Sequence, residues 1–574
     1  MVLDFPTASA DDGKDPIDYG TGEEVTETSA GHAIVATLEA HGVDTVFAVP
    51  GESYLEVLDG LHDSSISTVV CRHEGGAAYA AEATGKLGTV PGIAMVTRGP
   101  GAANAMIGIH TAHQDATPMV LFVGLVPVDD RGRESFQEFD LTAWFGSTAK
   151  AVLTLEDPQQ ASALVDRALS IAASGRPGPV VIGLPEDIIR RTGPAVVHPV
   201  SAPARSGIDP EIAAGLTRDL LAAQRPLVVL GGSSWTQEAC TTVASWLEAH
   251  GLPAAVDWRG EGILSSDSPS CIGALGYGRP DSAAAALDEA DLVVVIGTVL
   301  GDVITDGYQL RQGHDQTTVV INPDPDLLGH GTVVTDHLVA APVDFASALA
   351  RAATAEAGTA SGSWRSRLRE GYLTSTTVTE APRIPGAASM TQAMKMLAAA
   401  VDAEERITRT VITAGAGNHT AWIAPTFPTR DYGSLLSTRN GAMGYSIPAA
   451  VAAGCADRSA QVIAVCGDGE FMMNANELAT AAQEGLSPLI VVMDNGQFGT
   501  IRAHQEHWYP GRVSGTQIRN PQFADHVRSV GGLGFEVDDD DQLAAVVPAA
   551  VEHVAAGRGP ALIHLHVAPE VLLP

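Results

Sequence analysis

Short runs of Val, Ile and Leu recur along the chain, separated by Ala-rich stretches of mixed polarity. They begin with "TVFAVP" (45–50), "STVVCRHE" (67–74), "GIAMVT" (92–97), "PMVLFVG" (118–124) and "GPVVIGLP" (178–185). Within each run the apolar residues are nearly continuous rather than alternating, the pattern of strands covered on both faces and therefore parallel. The intervening "GGAAYAAEATGK" and "ANAMIGIHTAHQD" read as crossover helices, which makes an open α/β sheet.

The pattern then repeats twice. A second set holds "PLVVLGG" (226–232), "PAAVDW" (253–258), "DLVVVIGT" (291–298) and "TTVVINPDPD" (317–326). A third holds "RTVITAGAGNHTAW" (409–422), "QVIAVCGDG" (461–469), "PLIVVMDNG" (488–496) and "PALIHLHV" (560–567). The Pro- and Gly-containing "HPVSAPARSGIDPE" (198–211) and the small, polar stretch 353–386 read as linkers. At 574 residues the chain is too long for one core. The expected fold is α/β, three doubly wound domains with mainly parallel sheets, over residues 30–197, 208–352 and 387–574. Residues 1–29, rich in Asp and Glu, read as a disordered acidic tail.

Composition narrows the partners. A net charge of -35, from 68 acidic and 33 basic residues, argues against nucleic acid or an anionic membrane. The N-terminus has neither the basic nor the apolar region of a signal peptide, and no run of eighteen apolar residues predicts a membrane span. The 5 cysteines (Cys71, Cys240, Cys271, Cys455, Cys466) form no C-x-x-C pair. A reducing, cytoplasmic setting is expected.

The candidate chemistry sits in "CGDGEFMMNANELATAAQEGLSPLIVVMDNGQFGT" (466–500). "QVIAVC" predicts a strand and "GDG" the turn at its end. Asn474, with Glu477 three residues on, predicts a capped helix running to about Gly485, followed by the strand "PLIVVMD". A right-handed βαβ unit then places Asp468 and Asn495 together at the carboxyl edge of the sheet. Two hard oxygen donors there suit Mg²⁺ or Ca²⁺, and Gly467 and Gly469 let backbone approach phosphates.

Gly-Asp-Gly, 24 residues, then Asp-Asn resembles the diphosphate-and-metal motif of the thiamine-diphosphate enzymes, in particular the acetolactate synthase and pyruvate oxidase branch. The resemblance implies Mg²⁺ held by Asp468, Asn495 and the backbone carbonyl of Gln497, with Gly467, Gly469 and Glu470 beside the cofactor. Where most members carry Asn-Asn, this chain has Asp494-Asn495. "RHEGGAAYAAEATGK" (72–86) resembles the segment of the family's catalytic glutamate, here Glu74. The resemblance also implies that Phe136 and Gln137 of "SFQEFD" (135–140) line the active site. "GAGNHTAW" (415–422) resembles a diphosphate contact through Gly417, Asn418 and His419, and "NGAMGYSIPAA" (440–450), with Gly441, the loop whose Met443 bends the cofactor. The three domains become pyrimidine-binding, central Rossmann-like and diphosphate-binding.

The chemistry that follows is decarboxylation of a small, pyruvate-like 2-keto acid and carboligation of the resulting enamine to a second carbonyl. A carboxyl at Glu74 would hydrogen-bond the aminopyrimidine, with Gly75, Gly76, Ala77 and Ala78 small enough to admit a flat ring. Gln137, His113 and Gln114 are candidates for steering the product, and His504 and His507 for a closing lid. The resemblance also implies a homodimer, paired into a tetramer, in which Glu74 of one subunit meets the metal of the other. Departures exist: "GTVLGDVITDGYQ" (297–309) lacks the Arg-Phe-Asp-Asp-Arg of flavin-binding synthases, Arg98 replaces a common Ser, and Glu186 a common Lys. FAD is therefore the disfavoured cofactor. The alternatives are a simple 2-keto acid decarboxylase, a flavin-dependent keto-acid oxidase and a non-catalytic cofactor-binding relative.

Overall fold

The computed structural model describes residues 27–194, 204–311, 316–327, 333–352, 362–377 and 383–571. Strand β1 (Glu27–Ser29) precedes a six-stranded sheet of β2 (Thr45–Ala48), β3 (Ser67–Val70), β4 (Gly92–Val96), β5 (Met119–Leu125), β6 (Ala151–Thr154) and β7 (Pro179–Pro185), ordered β3-β2-β4-β5-β7-β6. β8 (Thr192–Pro194) pairs back onto β1 antiparallel. The central sheet holds β9 (Pro226–Leu230), β10 (Ala254–Val256), β11 (Cys271–Ala274), β12 (Leu292–Ile296), β13 (Thr317–Ile321) and β14 (Asp336–Leu338), ordered β11-β10-β9-β12-β13-β14. The last sheet holds β15 (Thr410–Ala414), β16 (Leu435–Ser437), β17 (Gln461–Gly467), β18 (Leu489–Asp494), β19 (Leu533–Val537) and β20 (Ala561–His566), ordered β16-β15-β17-β18-β20-β19.

Every pairing within these three sheets is parallel, as continuous apolar runs require. β5 and β7 are buried along their whole length. The first and last sheets share one strand order, while the central sheet has the dinucleotide-fold order. The helices Glu74–Leu87 and Ser446–Ala456 carry Ala77, Ala78, Ala81, Ala449, Ala450 and Ala453 into one core that joins the first and last domains. Small side chains let these two helices approach closely.

Two expectations need correction. The acidic tail was drawn to residue 29, but Glu27–Ser29 are ordered as β1, because β8 supplies backbone partners; residues 1–26 lie outside the described residues. The 353–386 linker contains the helix Gly362–Ser375. Its Trp364, Leu368 and Tyr372 are buried against the central domain, and the Trp364 indole N–H donates to the Pro226 carbonyl at 2.9 Å. Among the described residues no helix is long and apolar enough to cross a membrane.

Candidate active site

Four connections at the carboxyl edge of the last sheet line one cavity of ≈ 270 Å³. Gly417, Asn418 and His419 follow β15; Gly441 and Met443 follow β16; Gly467, Asp468, Gly469 and Glu470 follow β17; Asn495 and Gln497 follow β18. The place follows from topology. β15 leads outward to β16 and β17 the other way to β18, so the sheet edge opens between β15 and β17.

Asp468 and Asp494 lie side by side. Asp468 Oδ2 accepts from the Gly496 N–H at 3.0 Å and the Asn520 Nδ2 at 2.8 Å, and Asn520 also donates to Asp494 Oδ1 at 2.8 Å. Asp494 Oδ2 lies 2.9 Å from Nε2 of the buried His564. Burial and the Asp494 charge push the Asp468 carboxyl up to about 7. Asp494 is held down to about 2: burial opposes this, but hydrogen bonds from His564 and Asn520 prevail. Two adjacent buried carboxylates with one shared amide donor suit a cation. Gln497 also lines the cavity, its side chain tied by Nε2 to the Pro569 carbonyl at 2.9 Å and by Oε1 to Arg502 at 2.6 Å.

His419 is buried, and among the described residues its Nε2 has no hydrogen-bond partner. Burial, then Arg259, lowers its pKa to about 3, so the ring is neutral. Glycines make its berth: a Cβ at Gly417, where φ is +147°, would stand 2.7 Å from its Nδ1, and one at Gly467 3.0 Å away. An orphaned imidazole nitrogen over a glycine-lined cavity that the Asp468 carboxyl also lines is what a metal-bound diphosphate would satisfy. Asn418 Oδ1 accepts from the Thr500 hydroxyl at 2.7 Å. Glu470 turns its carboxylate away to accept from the Gly444 and Ser446 N–H groups, both at 3.1 Å, and so fixes the chain just beyond Met443.

The expected capping box is absent. The turn runs straight into the helix Asp468–Asn474, and a second helix spans Glu477–Gln483. Asn474 donates to the Gly444 carbonyl at 2.7 Å, and Glu477 reaches into the first domain. There, connections at the carboxyl edge of the first sheet carry the remaining candidates. Glu74 begins a helix after β3; it is half-buried, and its Oε2 accepts from Asn104 at 2.9 Å. It is not among the residues lining the cavity around Asp468. A Cβ on Gly101 would sit 3.4 Å from Glu74 Oε1, and one on Gly99 would meet the Gln137 carbonyl at 2.8 Å, so the turn after β4 links Glu74 with Gln137. Gln137 holds a left-handed φ of 62°, and Phe136 stands 73% exposed. The two sequence departures meet here: Arg98 Nη1 lies 2.9 Å from Glu186 Oε2, and its Nη2 2.9 Å from Glu52 Oε1.

His113 and Gln114 are placed differently. They end the 16-residue helix Pro100–Asp115, about 22 Å from the turn at its start. Their carbonyls accept from Arg176, and Gln114 lines a separate cavity with Trp258, Thr298 and Arg439. The geometry does not bring them to Glu74 and Gln137 within one chain. His504 and His507 lie on the helix Gly499–Trp508, which buries no residue and whose first turn borders the cavity. Asn520 and His564 have no place in the sequence reading, and Glu477 has only a helix-capping one. For His564 a signal existed, a His inside the apolar strand "ALIHLH".

Residues 28–144 match the thiamine pyrophosphate enzyme N-terminal TPP binding domain, 214–349 the central domain and 415–565 the C-terminal TPP binding domain. The acetolactate synthase large subunit of Parasynechococcus marenigrum (strain WH8102) is 31% identical over 568 residues, covering 94% of this chain and 87% of that protein. The chain belongs to the thiamine pyrophosphate enzyme family. The acetolactate synthase isozyme 2 large subunit of Escherichia coli (strain K12) is 30% identical, covering 93% of this chain and 94% of its own length. A probable acetolactate synthase large subunit of Methanocaldococcus jannaschii is 27% identical over 554 residues. This is an acetolactate synthase-like, thiamine-diphosphate-dependent enzyme. Glu74 falls within the residues matched to the N-terminal TPP binding domain, and Asp468 and Asn495 within those matched to the C-terminal one.

Proposed function

We propose that the protein decarboxylates a small, pyruvate-like 2-keto acid and joins the two-carbon fragment to a second carbonyl, using thiamine diphosphate and Mg²⁺. The observation that carries this reading is the cavity itself, with Asp468, Asn495 and Gln497 beside the unpartnered His419. When bound, the cofactor supplies a stabilised carbanion. Asp468, Asn495 and the Gln497 carbonyl hold the metal, and Gly417, Gly467 and Gly469 leave room for the diphosphate. Met443, its carbonyl accepting from the Tyr79 hydroxyl at 3.2 Å, would support the cofactor's rings. Glu74 holds a proton against the pyrimidine, and Gln137 and Phe136 face the substrate.

Glu74 lies off the cavity of its own chain, which supports a homodimer with sites shared between subunits, paired further into a tetramer. Exposed Phe136, Met472, Met473 and Trp508 on the flanking elements fit such burial. Flavin has poor support. An ion pair between buried Asp257 and half-buried Arg439 at 2.9 Å, with Thr298 bonded to Asp257, stands at the carboxyl edge of the central sheet, where two cavities share Arg439 as a wall. All 5 cysteines are free, in keeping with a cytoplasmic setting.

The test is a panel of 2-keto acids with purified protein, thiamine diphosphate and Mg²⁺. Carbon dioxide and a carbon–carbon product should rise together. Aldehyde as the sole product would replace carboligation by simple decarboxylation, and a yellow protein that consumes oxygen would point to the oxidase.

A further inference from the structure

The corner that launches Glu74 is held from another domain. β3 ends at Val70 and the Glu74 helix starts four residues later, leaving the N–H groups of Arg72 and His73 outside both elements. Both donate to one carboxylate. Arg72 N reaches Glu477 Oε1 and Oε2 at 3.0 and 3.2 Å, and His73 N reaches Oε1 at 3.0 Å. The Thr480 hydroxyl donates to Oε2 at 2.6 Å and Asn476 Nδ2 to Oε1 at 3.4 Å. Glu477 is 1% exposed and opens the second helix after the metal turn. The fit is close: a Cβ on Gly76 would stand 2.4 Å from Glu477 Oε1. Gly76 is thus small for a carboxylate of its own chain rather than for a flat ring. From there His73 Nδ1 accepts the Gly75 N–H at 3.0 Å and starts the helix.

A buried carboxylate is costly where an apolar side chain would pack as well. What it adds here is acceptors for two successive N–H groups directly before Glu74. We infer that Glu477 is a positioning residue for catalysis: its clamp on Arg72 and His73 fixes the direction in which Glu74 leaves the sheet edge. The inference rests on the thiamine-diphosphate reading. It also gives the clamp a reach between sites, since the helix pair that starts at the metal ligand Asp468 orients the carboxyl offered to a neighbouring subunit.

The test uses full-length Glu477→Gln, Glu477→Ala and Gly76→Ala, the last crowding the carboxylate while keeping it. Without cofactor, amide hydrogen exchange at residues 72–73 should quicken in all three. With thiamine diphosphate and Mg²⁺, cofactor affinity should stay within about threefold, while thiazolium proton exchange per bound cofactor slows about 10–100-fold, as small misplacements do. Should Glu477→Ala fail to fold, Glu477→Gln and Gly76→Ala decide. Proton exchange at the wild-type rate in both, or slowed only in step with lost affinity, would overturn the positioning role. A wild-type protein that binds no thiamine diphosphate would overturn the underlying reading, and the two failures are distinct.

Discussion

At the scale of single residues, Asp468, which lines the cavity, and Asp494 beside it set how a cation can be held. Asp468 is raised to about 7 by burial and by Asp494. A carboxyl raised above its ordinary value favours the folded protein in its protonated form, a stabilisation present at low pH and lost as pH rises toward 7. A cation must displace that proton. Mg²⁺ affinity measured by calorimetry should therefore hold above pH 7 and fall about tenfold per pH unit below it. In Asp494→Asn the second charge is gone and the fall should begin at lower pH; an unmoved profile would show that the two carboxylates do not interact. Asp468→Ala should lose metal-dependent cofactor binding altogether. Glu74→Gln should still bind cofactor yet slow thiazolium proton exchange by about 10²–10⁴-fold, the usual worth of a placed acid–base group. The residues named in the Gly-Asp-Gly and Asp-Asn segments could be read from spacing because chain neighbours fix them. Asn520 and Glu477 could not, since each acts on groups 26 to 405 positions away along the chain.

Among elements, legibility followed burial. Each apolar run in "PMVLFVG", "DLVVVIGT" or "PLIVVMD" is an interior strand, covered on both faces and both edges, and its composition says so. Besides the two-stranded β1–β8 pair, the strands that escaped were β6, β11, β14, β16 and β19, all at edges of the six-stranded sheets. With one neighbour missing, an edge strand is freer to be short and polar, as Asp336–Leu338 is. The helix Gly362–Ser375 was hidden for a related reason: it buries only Trp364, Leu368 and Tyr372 and is otherwise polar. Its anchorage makes a prediction. Trp364→Ala should cost about 3–5 kcal/mol of stability in denaturant unfolding of the central domain. A cost below about 1 kcal/mol would return this segment to the status of a linker.

Over the whole molecule, the first and last domains repeat one strand order and each opens its own carboxyl edge, one toward Glu74 and one toward Asp468. Within a chain they pack through Ala-rich helices, and that packing leaves Glu74 outside the cavity around Asp468. If each working site draws Glu74 from one subunit and Asp468 from the other, two inactive variants can repair each other. In a dimer of Glu74→Gln with Asp468→Ala, one site inherits both lesions and the other neither. Random reassociation of equal amounts makes about half the dimers mixed, so about a quarter of all sites should be intact. Mixing the two variants under dissociating conditions and restoring the dimer should recover about 25% of wild-type turnover, by the same count. A site built from one chain gives a different answer: every chain in the mixture then carries a lesion in its own site, and turnover stays at the level of the separate variants.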